Sequence, residues 1–376
     1  MVNFLQPSLD TTLSERAQYG YIQGLDGMRA IAVLIVIIAH MGLVSIIPGG
    51  FGVTVFFFIS GFLITRLLLA EQEKKGQVQL LNFYTRRFLR LFPALLFMIV
   101  ITTAIMTALG DAPKIRDLIS SFIYMMNYNN IALGFAGEVQ TGPWGHLWSL
   151  AVEEHFYLFF PLLIVMFRNR FDKIIGLCLL LCGAALVWRC VNYYGTNFPR
   201  NYNYFATETR IDSILYGCLL SLLLHFKPHG AWRHWLTGWA PLGLAALTFG
   251  ACFIIRDDGF RETFRYSFQG MALFIAILNL YYFKPIQFCF RILDLTILRW
   301  IGRISYGLYL WHIPALYFAN NYYGLTEGTV LYAATAMAIT LSYTYVSYHG
   351  FEQPIIELRK RYGAHIVKAP TSIVTS

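Results

Sequence analysis

Residues 30–47 read AIAVLIVIIAHMGLVSII, and PGGFGVTVFFFISGFLIT follows directly at 48–65. Each stretch approaches the length of about 20 apolar residues with which an α-helix crosses the hydrocarbon core of a bilayer. Further apolar stretches lie at roughly 91–109, 149–167, 174–190, 211–226, 235–255, 266–283, 304–320 and 328–348. The sequence therefore predicts an all-α integral membrane protein with about ten transmembrane helices.

The composition of the whole chain agrees with a membrane protein. Of the 376 residues, 57% are hydrophobic and 13% are charged, and the mean hydropathy is +0.54. A soluble chain carries about 25% charged residues, and a disordered chain combines low hydrophobicity with high charge. These figures exclude both classes. The six cysteines lie in or beside apolar runs, so we expect reduced packing residues rather than a disulfide scaffold or a metal site.

The apolar stretches leave little room for a second domain. We expect a polar N-terminal segment over 1–20 that is not a cleavable signal peptide, since no short apolar region with a cleavage site follows it. One membrane domain is expected over 21–362, and a disordered tail over 363–376.

The net charge of +9 is interpreted as membrane topology rather than nucleic-acid binding. If both termini are cytoplasmic, most of the 29 basic residues fall in cytoplasmic connections, as the positive-inside rule requires. This holds only if the stretch 118–135 does not span. Asn127, Asn129 and Asn130 interrupt its centre, so we predict an interfacial or re-entrant segment.

His40 is the clearest polar intrusion, because its surroundings in the first helix are wholly apolar. A polar side chain at membrane depth is costly and calls for a reason. Imidazole is the usual general base near neutral pH. The alternative is a structural histidine that donates one hydrogen bond to a neighbouring helix.

Glu153 and Glu154 form the second intrusion, in HLWSLAVEEHFYLFFPLL at 146–163. Successive residues on a helix point about 100° apart, so only one of the two carboxylates faces a given pocket. By its depth in the membrane, Glu153 could pair with His40 and fix its tautomer. The alternative is that both glutamates are solvated at the interface.

The third feature is a cytoplasmic basic cluster in FYTRRFLRLFP, with Arg86, Arg87 and Arg90. Arg87 and Arg90 are three positions apart and share a helix face, where they could clamp a phosphate or pyrophosphate. The alternative is anchoring beside lipid headgroups. Arginine rather than lysine at each position favours bidentate phosphate recognition.

Other polar residues receive structural interpretations. Asp26 and Arg29 could pair with each other at the mouth of the first helix. Asp212 is interpreted as an ordinary acid at a helix N-terminus. His312, followed by Pro314, is interpreted as a packed histidine at a kink. No metal is expected.

These motifs also form an ordered set. LDGMRAIAVLIVIIAH (25–40), FYTRRFLRLFPALL (83–96), HLWSLAVEEHFYLFFPLL (146–163), TRIDSILYG (209–217), IGRISYGLYLWHIP (301–314) and FEQPIIELRKR (351–361) closely resemble acyltransferase family 3 membrane proteins. The resemblance spans nearly the whole chain and is specific for the family but not for the substrate.

The resemblance implies a bacterial inner-membrane enzyme that transfers an acyl group, most often acetyl, from cytoplasmic acyl-CoA to a sugar hydroxyl. The acceptor would be a surface or exported glycan such as lipopolysaccharide O-antigen or exopolysaccharide, or a lipid-linked sugar. The family's essential histidine falls on His40, its RxxR pair on Arg87 and Arg90, and its motif acid on Glu153. Its LDGxRA motif falls on Asp26 and Arg29, with Arg86 and Glu154 in supporting positions.

Many relatives carry an extracytoplasmic SGNH-type domain, and from the length of the sequence we expect none in this protein. The resemblance therefore implies transfer within the membrane domain or through a separate partner protein. Sequence alone leaves open whether His40 acts as a base or as a transient acyl carrier. The competing interpretations are a proton-coupled transporter, a small-molecule acceptor such as a macrolide sugar, and a succinyl or longer acyl donor.

Overall fold

The computed structural model describes residues 22–43, 48–168, 170–227 and 230–355, and every regular element within them is helical. The longer helices are α1 (Leu25–Ile38), α2 (Gly49–Lys75), α3 (Leu80–Ala108), α6 (Trp148–Met166), α7 (Phe171–Gly195), α9 (Thr207–Phe226), α11 (Trp239–Ile254), α13 (Phe264–Tyr282), α16 (Ser305–Asn321) and α17 (Val330–Ser347). The shorter helices between them are α4 (Ile115–Phe122), α5 (Met126–Phe135), α8 (Tyr202–Phe205), α10 (Ala231–Leu236), α12 (Asp258–Glu262), α14 (Cys289–Leu293) and α15 (Thr296–Arg303).

The prediction of an all-α integral membrane protein is confirmed. Seven described helices are long and apolar enough to cross a membrane. If α13 and the segment that follows it at an angle of 91° form one broken span, the described residues contain eight. The other two predicted stretches coincide with α11 and α16, of 16 and 17 residues. The segments predicted over 1–20 and 363–376 lie outside the described residues.

The stretch 118–135 is broken in two. Helices α4 and α5 have 8 and 10 residues, and Tyr124 between them has a positive φ of 56°. Each half is shorter than a span, in agreement with the predicted interfacial or re-entrant segment. The asparagines are buried and bonded, as Asn127 donates to Thr207, Asn129 to Asp117 and Asn130 to the Gly145 carbonyl.

Helices α2 and α9 approach each other closely through small residues. A Cβ atom on Gly61 would lie 2.0 Å from the Ile214 carbonyl oxygen, and one on Gly217 would lie 2.0 Å from that of Phe58. Small residues let helix backbones approach within a membrane, where no hydrophobic effect drives association. This contact fixes α2, which forms one wall of the cavity described below.

Helix α1 ends in a π-helical turn over Ala39–Leu43. Gly42 closes that turn with a φ of 94°, and its Cα faces the backbone of Gly328, so that a Cβ would lie 2.8 Å from the Gly328 Cα. Single π turns occur frequently at functional sites. Here the turn holds His40 at the end of α1.

The interpretation of Asp212 as an ordinary helix-terminal acid was wrong. Asp212 and Arg189 are both fully buried and form an ion pair of 2.8 Å between α9 and α7. Ser267 of α13 donates to the same carboxylate oxygen over 2.7 Å. A charge within the bundle must be paired and hydrogen-bonded to remain ionised, so this group joins three helices.

Candidate active site

A cavity that is partly open to solvent lies between α1, α2, α3, α6 and α16. Four of the residues predicted from sequence line it, namely Arg29, Arg87, Arg90 and Glu153. They come from α1, α3 and α6, so the fold gathers side chains that are far apart in the chain. Its remaining walls are largely aliphatic and aromatic.

The three arginines of α3 have different surroundings. Arg86 points away from the cavity and forms an ion pair of 2.8 Å with Glu71 of α2. The Arg87 guanidinium stacks over the Tyr157 ring at 3.7 Å, and its Nε is buried without a hydrogen-bond partner among the described residues. Arg87 and Arg90 both line the cavity, as expected for residues on one helix face.

Glu153 lies deep in the same cavity. Its carboxylate accepts hydrogen bonds from the Ser60 hydroxyl at 2.8 Å and from the Tyr157 hydroxyl at 3.4 Å. The positive charges of Arg87 and Arg29 act on it. Three arginines and one carboxylate line the cavity, so its net charge is positive and favours an anionic ligand.

The supporting acids lie outside the cavity wall. Glu154 follows Glu153 but does not line the cavity, as expected for adjacent helical residues. The negative charge of Asp26 acts on Arg29, which follows it by three positions on α1. The direct pairing predicted for these two motif residues stays a prediction.

His40 lies in a cluster of imidazoles. Its ring centroid is 5.2 Å from that of His312 on α16, and the His312 centroid is 5.1 Å from that of His146. His40 is exposed, whereas His146 and His312 are buried at 6% and 1% exposure. His40 therefore forms the exposed end of a three-histidine cluster.

The pairing of His40 with Glu153, inferred from depth in the membrane, was wrong. Within the described residues the hydrogen bonds of Glu153 go to Ser60 and Tyr157, and His40 Nδ1 bonds the Val36 carbonyl. His146, which belongs to the cluster, precedes Glu153 by about two helical turns, or ~10 Å. The carboxylate is thus displaced along α6 from the imidazoles.

Tyr309 joins the cavity to the histidine cluster. Its side chain lines the cavity, and its ring lies 5.5 Å from that of His146 and 5.3 Å from that of His312. Its hydroxyl bonds Ser149 Oγ at 2.6 Å and donates to the His146 carbonyl at 2.8 Å. Tyr309 therefore borders both the arginine-lined cavity and the histidine cluster.

Sequence reasoning missed part of this group. His146 was noted only as a neighbour of the glutamates, and His312 was assigned to packing. His312 is indeed packed, but against imidazoles. The available signal was its position in SYGLYLWHIP, an apolar stretch as free of charge as the one around His40.

A comparison of the sequence with known families decides the class of protein. The acyltransferase domain of acyltransferase family 3 matches residues 22–349. The chain belongs to acyltransferase family 3. It therefore carries the membrane acyltransferase domain of this family, which decides against the secondary transporter.

Relatives of this chain are named O-acetyltransferases. The peptidoglycan O-acetyltransferase OatA of Listeria monocytogenes is 33% identical over 362 residues, which cover 89% of this chain and 56% of that protein. The O-acetyltransferase OatA of Staphylococcus aureus is 31% identical over 354 residues, which cover 89% and 57%. The chain thus spans little more than half the length of these relatives. No solved structure matches it significantly.

Proposed function

We propose that the chain is an O-acetyltransferase of the bacterial cytoplasmic membrane. It takes the acetyl group of cytoplasmic acetyl-CoA and delivers it to a hydroxyl of a cell-wall or other surface glycan. The observation that carries this proposal is the position of Tyr309. It lies between a cavity lined by Arg87 and Arg90 and a cluster that contains His40.

The donor end of the cavity suits a phosphorylated thioester. Arg87 and Arg90 both line the cavity. The buried Arg87 Nε has no hydrogen-bond partner among the described residues, and a phosphate oxygen could accept its hydrogen bond. In this role Arg29 adds a third positive charge. The aliphatic and aromatic walls beyond would accommodate the pantetheine arm and bring the thioester towards Tyr309.

The histidine end suits proton abstraction from an alcohol. A carbonyl oxygen only accepts hydrogen bonds, so the contact of His40 Nδ1 with the Val36 carbonyl at 2.9 Å places the proton on Nδ1. The neutral ring then carries its lone pair on Nε2. Because His40 is exposed, an acceptor hydroxyl can reach that nitrogen, which takes its proton as the oxygen attacks the thioester carbonyl.

The class of acceptor is proposed from the relatives. A peptidoglycan O-acetyltransferase among them favours a cell-wall sugar over a small molecule. The sugar would be met at the outer side of the membrane or as a lipid-linked precursor, and a separate transfer protein could complete delivery.

Mass spectrometry of glycans from cells with and without the gene tests this proposal. We expect sugars from gene-carrying cells to gain the mass of one acetyl group, which mild base removes as for an ester. Cells that express His40→Ala at normal levels serve as the matched control and should lack the added mass. A succinyl mass would identify another donor, and identical glycans in all strains would contradict the proposal.

A further inference from the structure

Glu153 lines the cavity but has no part in the reaction described so far. It is the middle member of a stripe on α6, because Ser149, Glu153 and Tyr157 follow one another at intervals of four residues and all line the cavity. Each interval corresponds to a rise of about 6 Å along the helix. Glu153 is therefore midway between two groups that are ~12 Å apart along α6.

The two ends of this stripe belong to different parts of the site. The Arg87 guanidinium lies 3.7 Å from the centre of the Tyr157 ring, at the end of the cavity proposed for the donor phosphates. The Ser149 hydroxyl bonds that of Tyr309 at 2.6 Å, beside the histidine cluster. A donor whose phosphates are held at one end and whose thioester reaches the other must pass Glu153.

The Glu153 carboxylate keeps acceptor capacity for such a ligand. The hydroxyl of Tyr157 has a single proton and donates it to Ser60 Oγ over 2.9 Å, so its contact with Glu153 Oε2 at 3.4 Å is weak. Ser60 in turn donates to Glu153 Oε1 over 2.8 Å. A carboxylate has about four lone-pair sites, so Oε2 is left without a strong donor among the described residues.

The part of the donor that reaches this level is the pantetheine arm. A phosphate would be repelled by the carboxylate, whereas the arm is uncharged and its two secondary amides offer N–H donors. An N–H that meets a carboxylate makes a charge-assisted hydrogen bond. Phe56, Ile59 and Leu63 line the cavity around Ser60 on α2, and their apolar side chains suit the methylene groups of the arm.

We infer that Glu153 recognises the donor by accepting a hydrogen bond from an amide N–H of its pantetheine arm. The inference rests on the proposed function, and it makes Glu153 a binding residue rather than a base. Ser60 becomes a positioning residue, because its hydroxyl holds Oε1 and leaves Oε2 for the ligand.

Titration calorimetry of the purified full-length protein tests this with two ligands, acetyl-CoA and adenosine 3′,5′-bisphosphate, which lacks the arm. Glu153→Ala should weaken acetyl-CoA binding about tenfold or more, since the lost hydrogen bond is to a charged group. The bisphosphate should bind as tightly as before or more tightly, because the cavity becomes more positive. Glu153→Gln retains an oxygen acceptor and should lose less affinity for acetyl-CoA than Glu153→Ala.

Glu154→Ala is the matched control. The Glu154 carboxylate interacts with the charge of Arg87 but does not line the cavity. Its removal should change the affinity for both ligands in the same direction, without the opposite effects expected of Glu153→Ala. An acetyl-CoA analogue with esters in place of both amides supplies a second measurement, which needs no variant. It should bind the wild-type protein about tenfold or more weakly than acetyl-CoA does.

Three results would overturn the inference. Equal weakening of both ligands by Glu153→Ala would mean that the residue acts through the arginines or the fold. Unchanged or tighter acetyl-CoA binding would make it a counter-ion only, and an ester analogue that binds the wild type as tightly as acetyl-CoA would remove the need for an amide. A wild-type protein that binds neither acetyl-CoA nor the bisphosphate would instead contradict the proposed function, so the two failures are distinguishable.

Discussion

At the residue scale, the cavity depends on which neighbouring side chains of a helix line it and which face elsewhere. Arg86 is neutralised by Glu71, whereas Arg87 and Arg90 face the cavity with Arg29. The same division separates Glu153 from Glu154 on α6. A residue's position on the helix circumference, more than its charge, decides whether it belongs to the site.

The different positions of the three arginines on α3 predict different effects of their substitution on acetyl-CoA binding. Arg87→Ala and Arg90→Ala each remove a charged hydrogen-bond donor, which is worth about 1.5–3 kcal/mol, so we expect acetyl-CoA binding to weaken about ten- to hundred-fold. Calorimetric titration of the purified protein with acetyl-CoA measures this. Arg86→Ala is the control, and equal weakening in all three variants would show that only general positive charge matters.

The buried ion pair predicts a large cost in stability. Asp212→Ala leaves the Arg189 charge buried without its partner, and such a change costs about 3–5 kcal/mol. The thermal transition in detergent should fall markedly. The double variant Arg189→Met/Asp212→Leu should recover much of the loss. No recovery would mean that the hydrogen bonds of Arg189 to Ser267 and to the Thr263 and Thr209 carbonyls matter more than the charge.

The individual candidate residues could be predicted from sequence because polar groups stand out in apolar stretches. His40 and Glu153 were singled out in this way, and Arg87 and Arg90 by their spacing on one helix face. The residues that contact them could not be predicted, because the apolar pattern gives the depth of a side chain in the membrane but not its position in the membrane plane. Depth placed Glu153 beside His40, whereas the structure places His312 there and Glu153 beside Ser60.

At the element scale, the site depends on where a helix stops. Helix α1 ends in a π turn at His40, and the glycine that closes the turn meets the loop before α17. Sequence shows a glycine at 42 but not the partner backbone at Gly328. The break could therefore not be predicted from the apolar pattern, which continues through it.

The π turn predicts that Gly42→Ala impairs catalysis more than donor binding. An alanine at a φ of 94° is strained, and its Cβ would lie 2.8 Å from the Gly328 Cα, so the turn must shift and move His40. We expect a lower kcat with an unchanged KM for acetyl-CoA. Gly110→Ala is the control, since Gly110 has a φ of 81° but nothing within 4 Å of the added Cβ. Equal loss in both variants would point to backbone strain alone.

The contact between α2 and α9 predicts a loss of stability in Gly61→Ala. Its Cβ would lie 2.0 Å from the Ile214 carbonyl oxygen, so the helices must separate, at a cost of about 1–3 kcal/mol. Thermal unfolding in detergent measures the change. Gly176→Ala on α7 meets nothing within 4 Å and should be neutral or stabilising. A Gly61→Ala protein as stable as the Gly176→Ala protein would contradict the close approach.

At the scale of the whole molecule, the ten apolar stretches all became helices, because the 20-residue requirement for a span is a strong constraint. The connections between them were less predictable. The fully buried Arg189, for example, depends on its ion pair with Asp212 on another helix. The side of the membrane for each loop stays a prediction from charge.

That topology can be measured with reporter fusions. The positive-inside rule places Lys75 in the cytoplasm and Glu138 outside. Alkaline phosphatase, which is active only outside the cytoplasm, should be inactive when fused after Lys75 and active when fused after Glu138. The reverse pattern would place the arginine-lined cavity on the wrong side for a cytoplasmic donor.

The central claim is that one cavity leads from cytoplasmic acetyl-CoA to the histidine cluster that serves the acceptor. The most direct measurement supplies radiolabelled acetyl-CoA to inverted membrane vesicles, whose cytoplasmic face is outward, and counts base-labile label on the glycan. At limiting acetyl-CoA and equal protein levels, we predict label with the wild-type protein and with Arg86→Ala, strongly reduced label with Arg90→Ala and none with His40→Ala. Undiminished label in both of the last two variants would contradict the account.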